Sequence, residues 1–276
     1  MQQLLENNLN LIRHIIQALN GQARQNSIYP AQPVDPQTAA SVILLLGSHK
    51  NIQTNGSEPC LIFNKRSLKV RQPGDLCFPG GSVTPRLDSH LSKLLSLPFT
   101  SLGRWKYWSQ WQDAQPQAAR RLSLFWATGL RESFEEMRLN PLGVKFLGPL
   151  PPQSLVMFRR VIYPMVAWVR RQKKFFPNWE VEKIIYVPLR EMLDAANYRR
   201  YHLSLSTRQN EKSSQSGPDY PCFYFQDDNG PEILWGATYR IATVFMEYVF
   251  GFKPPAFETL PVVEGRLDSA YMTGYK

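Results

Sequence analysis

Leu130-Arg131-Glu132-Ser133-Phe134-Glu135-Glu136-Met137 limits the fold of this chain more than any other segment. On an α-helix, Glu132, Glu135 and Glu136 stand at i, i+3 and i+4 and share one face, while Leu130, Phe134 and Met137 line the opposite one. The apolar face needs a body to pack on, and three crowded carboxylates need water or a cation. Hard oxygen ligands from adjacent turns suit Mg²⁺ or Mn²⁺, which keep several waters and share substrate phosphates. A solvated charged face is the plain alternative. Arg131, beside Glu132 and four residues before Glu135, can hold one carboxylate in place.

The surroundings predict an α+β domain. Strands are expected at 40–46, 59–65, 76–78, 144–147, 161–169, 184–187 and near 222–226, with helices from 125 to 140, at 189–196 and at 237–250. The strands at 40–46 and 59–65 can form a hairpin across the polar stretch 51–57. Leu5, Leu9, Ile12, Ile16 and Leu19 mark an amphipathic N-terminal helix without the pattern of a signal peptide. The chain reads as a helix and linker at 1–36, a main domain at 37–252 and a tail without clear periodicity at 253–276. Residues 204–218 read as a mobile loop. Three cysteines without CxxC spacing argue against a disulfide framework or a cysteine-rich zinc site. The four histidines fall in no metal-binding pair. No apolar run is long enough to span a bilayer, and the cytoplasm is the expected compartment. A net charge of +10 implies affinity for polyanions.

Phe78-Pro79-Gly80-Gly81, a strand running into a glycine turn, precedes the acidic helix. Together the two resemble the Nudix box, G-x(5)-E-x(7)-REUxEExGU, in which U is a bulky aliphatic residue. Cys60 to Ser82 (CLIFNKRSLKVRQPGDLCFPGGS) further resembles the segment before the box in the coenzyme A diphosphatase branch, and LGPLPPQS, VIYPMVAWV, EVEKIIYVPL and LWGATYRI follow in the order of that branch. The resemblance implies an α/β/α sandwich with a mixed sheet. It also implies a Mg²⁺- or Mn²⁺-dependent diphosphohydrolase that cuts coenzyme A or acyl-CoA into a 4′-phosphopantetheine part and adenosine 3′,5′-bisphosphate. Implied metal ligands are Gly80, Glu132, Glu135, Glu136 and Glu180, with Glu182 the alternative to Glu180. Glu132, oriented by Arg131, activates or positions water, and Arg66, Lys69 and Arg71 are candidate phosphate partners. Two other readings stay open: the same chemistry on another nucleoside diphosphate or a capped RNA, and a Nudix-like binding module without turnover. The oligomeric state is not readable.

The pattern is broken in places. Arg131 follows Gly81 by 50 positions instead of the pattern's 14, so 36 residues are extra and an insertion at about 90–124 splits the box. Trp105, Trp108 and Trp111, at spacings of three, are expected to pack on the body. Asp88 is the acid nearest the box's first glutamate, one position out of register. Arg138 stands where the box ends in glycine, and a left-handed helix end would cost an arginine about 1 to 2 kcal/mol. Asn140 is the expected substitute at that turn.

Overall fold

The computed structural model describes residues 2–25, 35, 37–50, 56–155, 160–205, 215–227, 230–267, 271 and 273. Most of the linker expected at 26–36, most of the polar stretch 51–57, the centre of the loop at 204–218 and nearly all residues after 267 lie outside these. The helices are α1 (Gln2–Leu5), α2 (Asn8–Gln25), α3 (Pro85–Leu95), α4 (Trp108–Ala114), α5 (Pro116–Met137), α6 (Leu189–Met192) and α7 (Gly236–Phe250). The strands are β1 (Ala39–Lys50), β2 (Ser57–Arg66), β3 (Leu76–Cys77), β4 (Gly80–Ser82), β5 (Val144–Pro149), β6 (Gln153–Leu155), β7 (Arg160–Val169), β8 (Val181–Pro188), β9 (Tyr198–Leu205), β10 (Gln215–Asp227), β11 (Gly230–Trp235) and β12 (Val262–Leu267).

Val42 to Leu46 is apolar on both faces of its strand, which suits a strand covered on both sides. β1 lies inside a mixed sheet of order β3-β2-β1-β7-β5, with β4 on β1, β6 on β7 and β8 on β2. It is antiparallel to β2, with Leu46 opposite Leu61, and parallel to β7, with Ile43 opposite Met165. One face carries α5 and the insertion, which bury Phe125, Trp126 and Leu130 against Ile43, Leu45 and Phe146. The other carries α2 and α7, whose Leu11, Ile15, Phe245 and Met246 meet Leu44, Leu46 and Phe63. The architecture is therefore α+β, with helices on both faces of a mixed sheet.

Several local readings change: the helix expected at 189–196 is only Leu189–Met192 before a 3₁₀ turn at Ala195–Asn197, and the ends of the loop expected at 204–218 belong to β9 and β10. The acidic helix starts at Pro116 rather than Phe125, because proline suits a first helical position and Ala119 and Leu122 extend its buried face. Phe134 does not belong to the buried face. It is 44% exposed beneath the Arg138 guanidinium, while Ser133 is fully buried and donates to the Gly129 carbonyl at 2.6 Å. Residues 262–267, expected within a tail, form β12 parallel to β9 in a second sheet of order β11-β10-β9-β12. Close by, Tyr271 is buried and its hydroxyl donates to Asp75 at 2.6 Å. Burial pushes the Asp75 carboxyl up, against that bond and a second from the Trp235 indole.

The insertion packs on the body. Trp105, Trp108 and Trp111 are buried, and the Trp105 indole donates to the Leu147 carbonyl at 3.2 Å. Its ring meets Phe146 edge-on at 5.1 Å. Among the described residues no helix is long and apolar enough to cross a membrane.

Candidate active site

Two pieces of backbone build the site: the β3–β4 turn and the C-terminal half of α5. Gly80 has a φ of +151°, and a Cβ there would collide with the Ser41 carbonyl of β1, so only glycine lets β4 lie this close. At Gly81 a Cβ would stand 2.5 Å from the Glu132 carboxyl carbon. The missing side chain is the space in which the Glu132 carboxylate rests.

Glu136 is held from two sides. Its Oε2 accepts from the Asn64 side-chain amide at 2.9 Å and from the Gly80 amide at 3.2 Å. Burial, then the charges of Glu132 and Glu180, push its carboxyl up to about 8, although the Gly80 amide opposes this. Burial also raises Glu132, against the neighbouring Arg131. Both shifts come first from burial, which disfavours the charged form.

Arg131 organises the acids. Its Nε donates to Asp88 Oδ1 at 2.8 Å, and Nη1 lies 3.0 Å from Glu132 Oε1 and 3.3 Å from Glu135 Oε2. Nη2 reaches the Ser82 carbonyl at 3.0 Å. Burial works against the guanidinium's charge, but the hydrogen bonds and charges of Asp88 and Glu132 hold it firmly protonated. Asp88 is itself buried and also accepts from the Thr84 amide and the Thr128 hydroxyl.

Of the residues expected to form the site, Gly80, Glu132 and Glu136 come together, and Glu180 stands near enough to perturb Glu136. Glu135 turns toward Arg131 with its side chain half exposed. Among the described residues no three acidic, histidine or cysteine side chains converge on one point as a ready metal cage. Arg66 is half-buried and donates to the Arg71 carbonyl at 2.7 Å, and its charge acts on Glu136. Lys69 and Arg71 are exposed beside it.

Sequence reasoning missed Asn64. Its signal was a lone amide in the apolar run Leu61-Ile62-Phe63-Asn64, where a polar side chain on an inner strand needs a partner. Its Oδ1 is buried with no hydrogen-bond partner among the described residues. An orphaned acceptor beside two destabilised carboxylates suits a hydrated divalent cation, so the donor set fits such an ion.

The helix end departs from expectation. Arg138 itself adopts the left-handed conformation, with φ 55° and ψ 38°, and closes a Schellman turn in which the Leu139 amide bonds the Ser133 carbonyl. Asn140 is extended and caps the following 3₁₀ turn instead. The arginine is steadied by its position over the Phe134 ring and by Gln172, which donates to its carbonyl at 2.9 Å.

The chain is similar to the uncharacterized Nudix hydrolase NudL of Pectobacterium atrosepticum, 26% identical over 76% of this chain and 82% of that protein. It is also similar to the peroxisomal coenzyme A diphosphatase NUDT7 of Mus musculus, 26% identical over 74% of this chain and 69% of the relative. These curated relatives are Nudix hydrolases, and the chain is similar to them over about three quarters of its length. No protein-family model matches it. Among solved structures, a MutT/nudix family protein from Enterococcus faecalis aligns over 89% of this chain and 75% of its own, at 10% identity and a TM-score of 0.39. Asp88 of α3 and Arg131 of α5 are 43 positions apart, yet the two are in direct contact.

Proposed function

We propose that the chain is a Mg²⁺- or Mn²⁺-dependent diphosphohydrolase that cleaves coenzyme A or acyl-CoA into 4′-phosphopantetheine, or its acyl form, and adenosine 3′,5′-bisphosphate. The observation that carries this reading is the placement of Glu132 and Glu136 against Gly80 and Gly81, with Arg131 anchored to Asp88. Similarity to coenzyme A diphosphatases of Mus musculus and Caenorhabditis elegans supports the substrate class.

Glu136 would hold the ion, with Gly80, Glu180 and a reoriented Glu135 as further oxygen donors, while Glu132 faces the attacking water. When bound, the ion supplies charge neutralisation of the diphosphate and polarises its oxygens. Arg131 occupies Oε1 of Glu132, which leaves Oε2 to accept a proton from the attacking water. The water oxygen bonds to phosphorus as the bridging P–O bond breaks, and the departing phosphate takes the electron pair. No covalent protein intermediate is required. Asn64 and the Gly80 amide keep Glu136 from swinging away. Arg66, Lys69 and Arg71 offer cations to the substrate phosphates, with Arg66 the best placed because its charge already reaches the acidic cluster.

The test is incubation with Mg²⁺ or Mn²⁺ and a panel of coenzyme A esters, nucleotide sugars, dinucleoside polyphosphates and capped RNA, with products identified by mass. The expected result is preferential release of adenosine 3′,5′-bisphosphate. Preferential cleavage of another member of the panel would replace the substrate, and cleavage of none would remove the proposed activity.

A further inference from the structure

Helix α3, which leads into the insertion, has its polarity reversed. Its buried positions are Asp88 and Ser92, whereas Leu87 and Leu94 are 48% and 58% exposed. With half-buried Leu91 between them, these leucines stand at i, i+4 and i+7 along one side. Leu97 and Phe99, in the turn that follows the helix, are also exposed, Phe99 at 63%. A helix that only packs on its own protein turns its leucines inward, and a row of exposed leucines along one side marks a contact surface.

Charge identifies what covers this surface. Residues 84–124 contain six basic residues, Arg86, Lys93, Arg104, Lys106, Arg120 and Arg121, against two acids, Asp88 and Asp113. Asp88 is buried and paired with Arg131, so Asp113 alone brings exposed negative charge to the segment. Arg86 and Lys93, seven residues apart and both exposed, flank the leucine stripe on the same side. A second copy docked through the same face would set these cations against their own counterparts. An apolar stripe edged by cations is instead the arrangement of a helix lying in the headgroup region of an anionic bilayer.

We propose that the outer face of α3 is a peripheral docking site for an anionic lipid surface. Leu87, Leu94 and Phe99 enter the headgroup boundary, and Arg86 and Lys93 meet lipid phosphates. The site does not depend on which diphosphate the enzyme cleaves.

The experiment is co-sedimentation of the full chain with phosphatidylcholine vesicles, with and without phosphatidylserine, at low and raised salt. Expected is binding to the phosphatidylserine vesicles only, weakened by salt. Leu94→Asp and Phe99→Asp should each reduce binding by about tenfold or more, as loss of one buried apolar side chain implies. Leu94→Ser and a joint Arg86→Glu, Lys93→Glu variant should act in the same direction, with melting temperature unchanged. Equal binding to neutral vesicles, or no binding, would overturn the proposal. So would binding unaffected by Leu94→Asp and Phe99→Asp, since overall positive charge would then suffice. Self-association in lipid-free solution abolished by Leu94→Asp would assign the face to a second copy and overturn it equally.

Discussion

Arg131 and Asp88 form a buried ion pair, with Nε 2.8 Å from Oδ1, across the whole length of the insertion. The extra segment therefore does not separate the two ends of the box. It leaves the body after Asp88 and returns before Arg131, and the pair closes its base.

Removal of one member of this pair should be costly. Asp88→Ala leaves the Arg131 guanidinium buried without its main partner, and a loss of about 3 to 5 kcal/mol is expected from the usual effect of breaking such a pair. Denaturant unfolding would measure it. Turnover should fall as well, because Arg131 no longer fixes Glu132.

Gly81→Ala separates function from stability. The added methyl meets the mobile end of Glu132 rather than backbone, so the carboxylate is displaced while the fold persists. Steady-state kinetics should show a large fall in kcat, with the melting temperature little changed. A variant with wild-type kcat would remove the Glu132 pocket from the mechanism.

Glu136 makes the metal-free protein sensitive to pH. Its carboxyl is raised from an ordinary 4.5 to about 8 in the fold, so the unfolded chain ionises first. Its contribution is most favourable below about 4.5 and is lost as pH rises toward about 8. Glu136→Gln should flatten the decline of melting temperature over that window in the presence of chelator, and should weaken Mn²⁺ binding measured by calorimetry.

Arg138 adopts a conformation that glycine takes without strain. Arg138→Gly should gain about 1 kcal/mol from relief of the left-handed backbone, reduced by loss of the contact with Phe134 and by the greater freedom of glycine in the unfolded chain. A rise in melting temperature with unchanged kcat would show that the helix end is structural. A fall would mean that contacts of the arginine outweigh its backbone strain.

Much of the candidate site's geometry was legible because its acidic residues lie close together on one helix. Glu132, Glu135 and Glu136 share a turn, and Gly80-Gly81 carries its own turn signal. Asn64 was not readable, because its partner is 72 positions away and a strand does not announce what faces it. β12 also escaped notice. Val262 to Leu267 includes Glu264, Gly265 and Arg266 and alternates between exposed and half-buried positions, so it lacks the strong apolar period of β1. The direction of Glu135 follows from the reach of Arg131, which helical spacing allows without choosing among the nearby acids.

The bond from Tyr271 to Asp75 bears on how this chain emerges from a ribosome. Asp75 closes the loop that carries Lys69 and Arg71, and β9 pairs with β12. While residues up to about 271 remain in the exit tunnel, that loop lacks its last hydrogen-bond donor and the second sheet lacks a strand. The acidic helix and its glycine turn precede both β12 and Tyr271 in the sequence, so the residues of the candidate site leave the ribosome before the partners that secure the loop beside it.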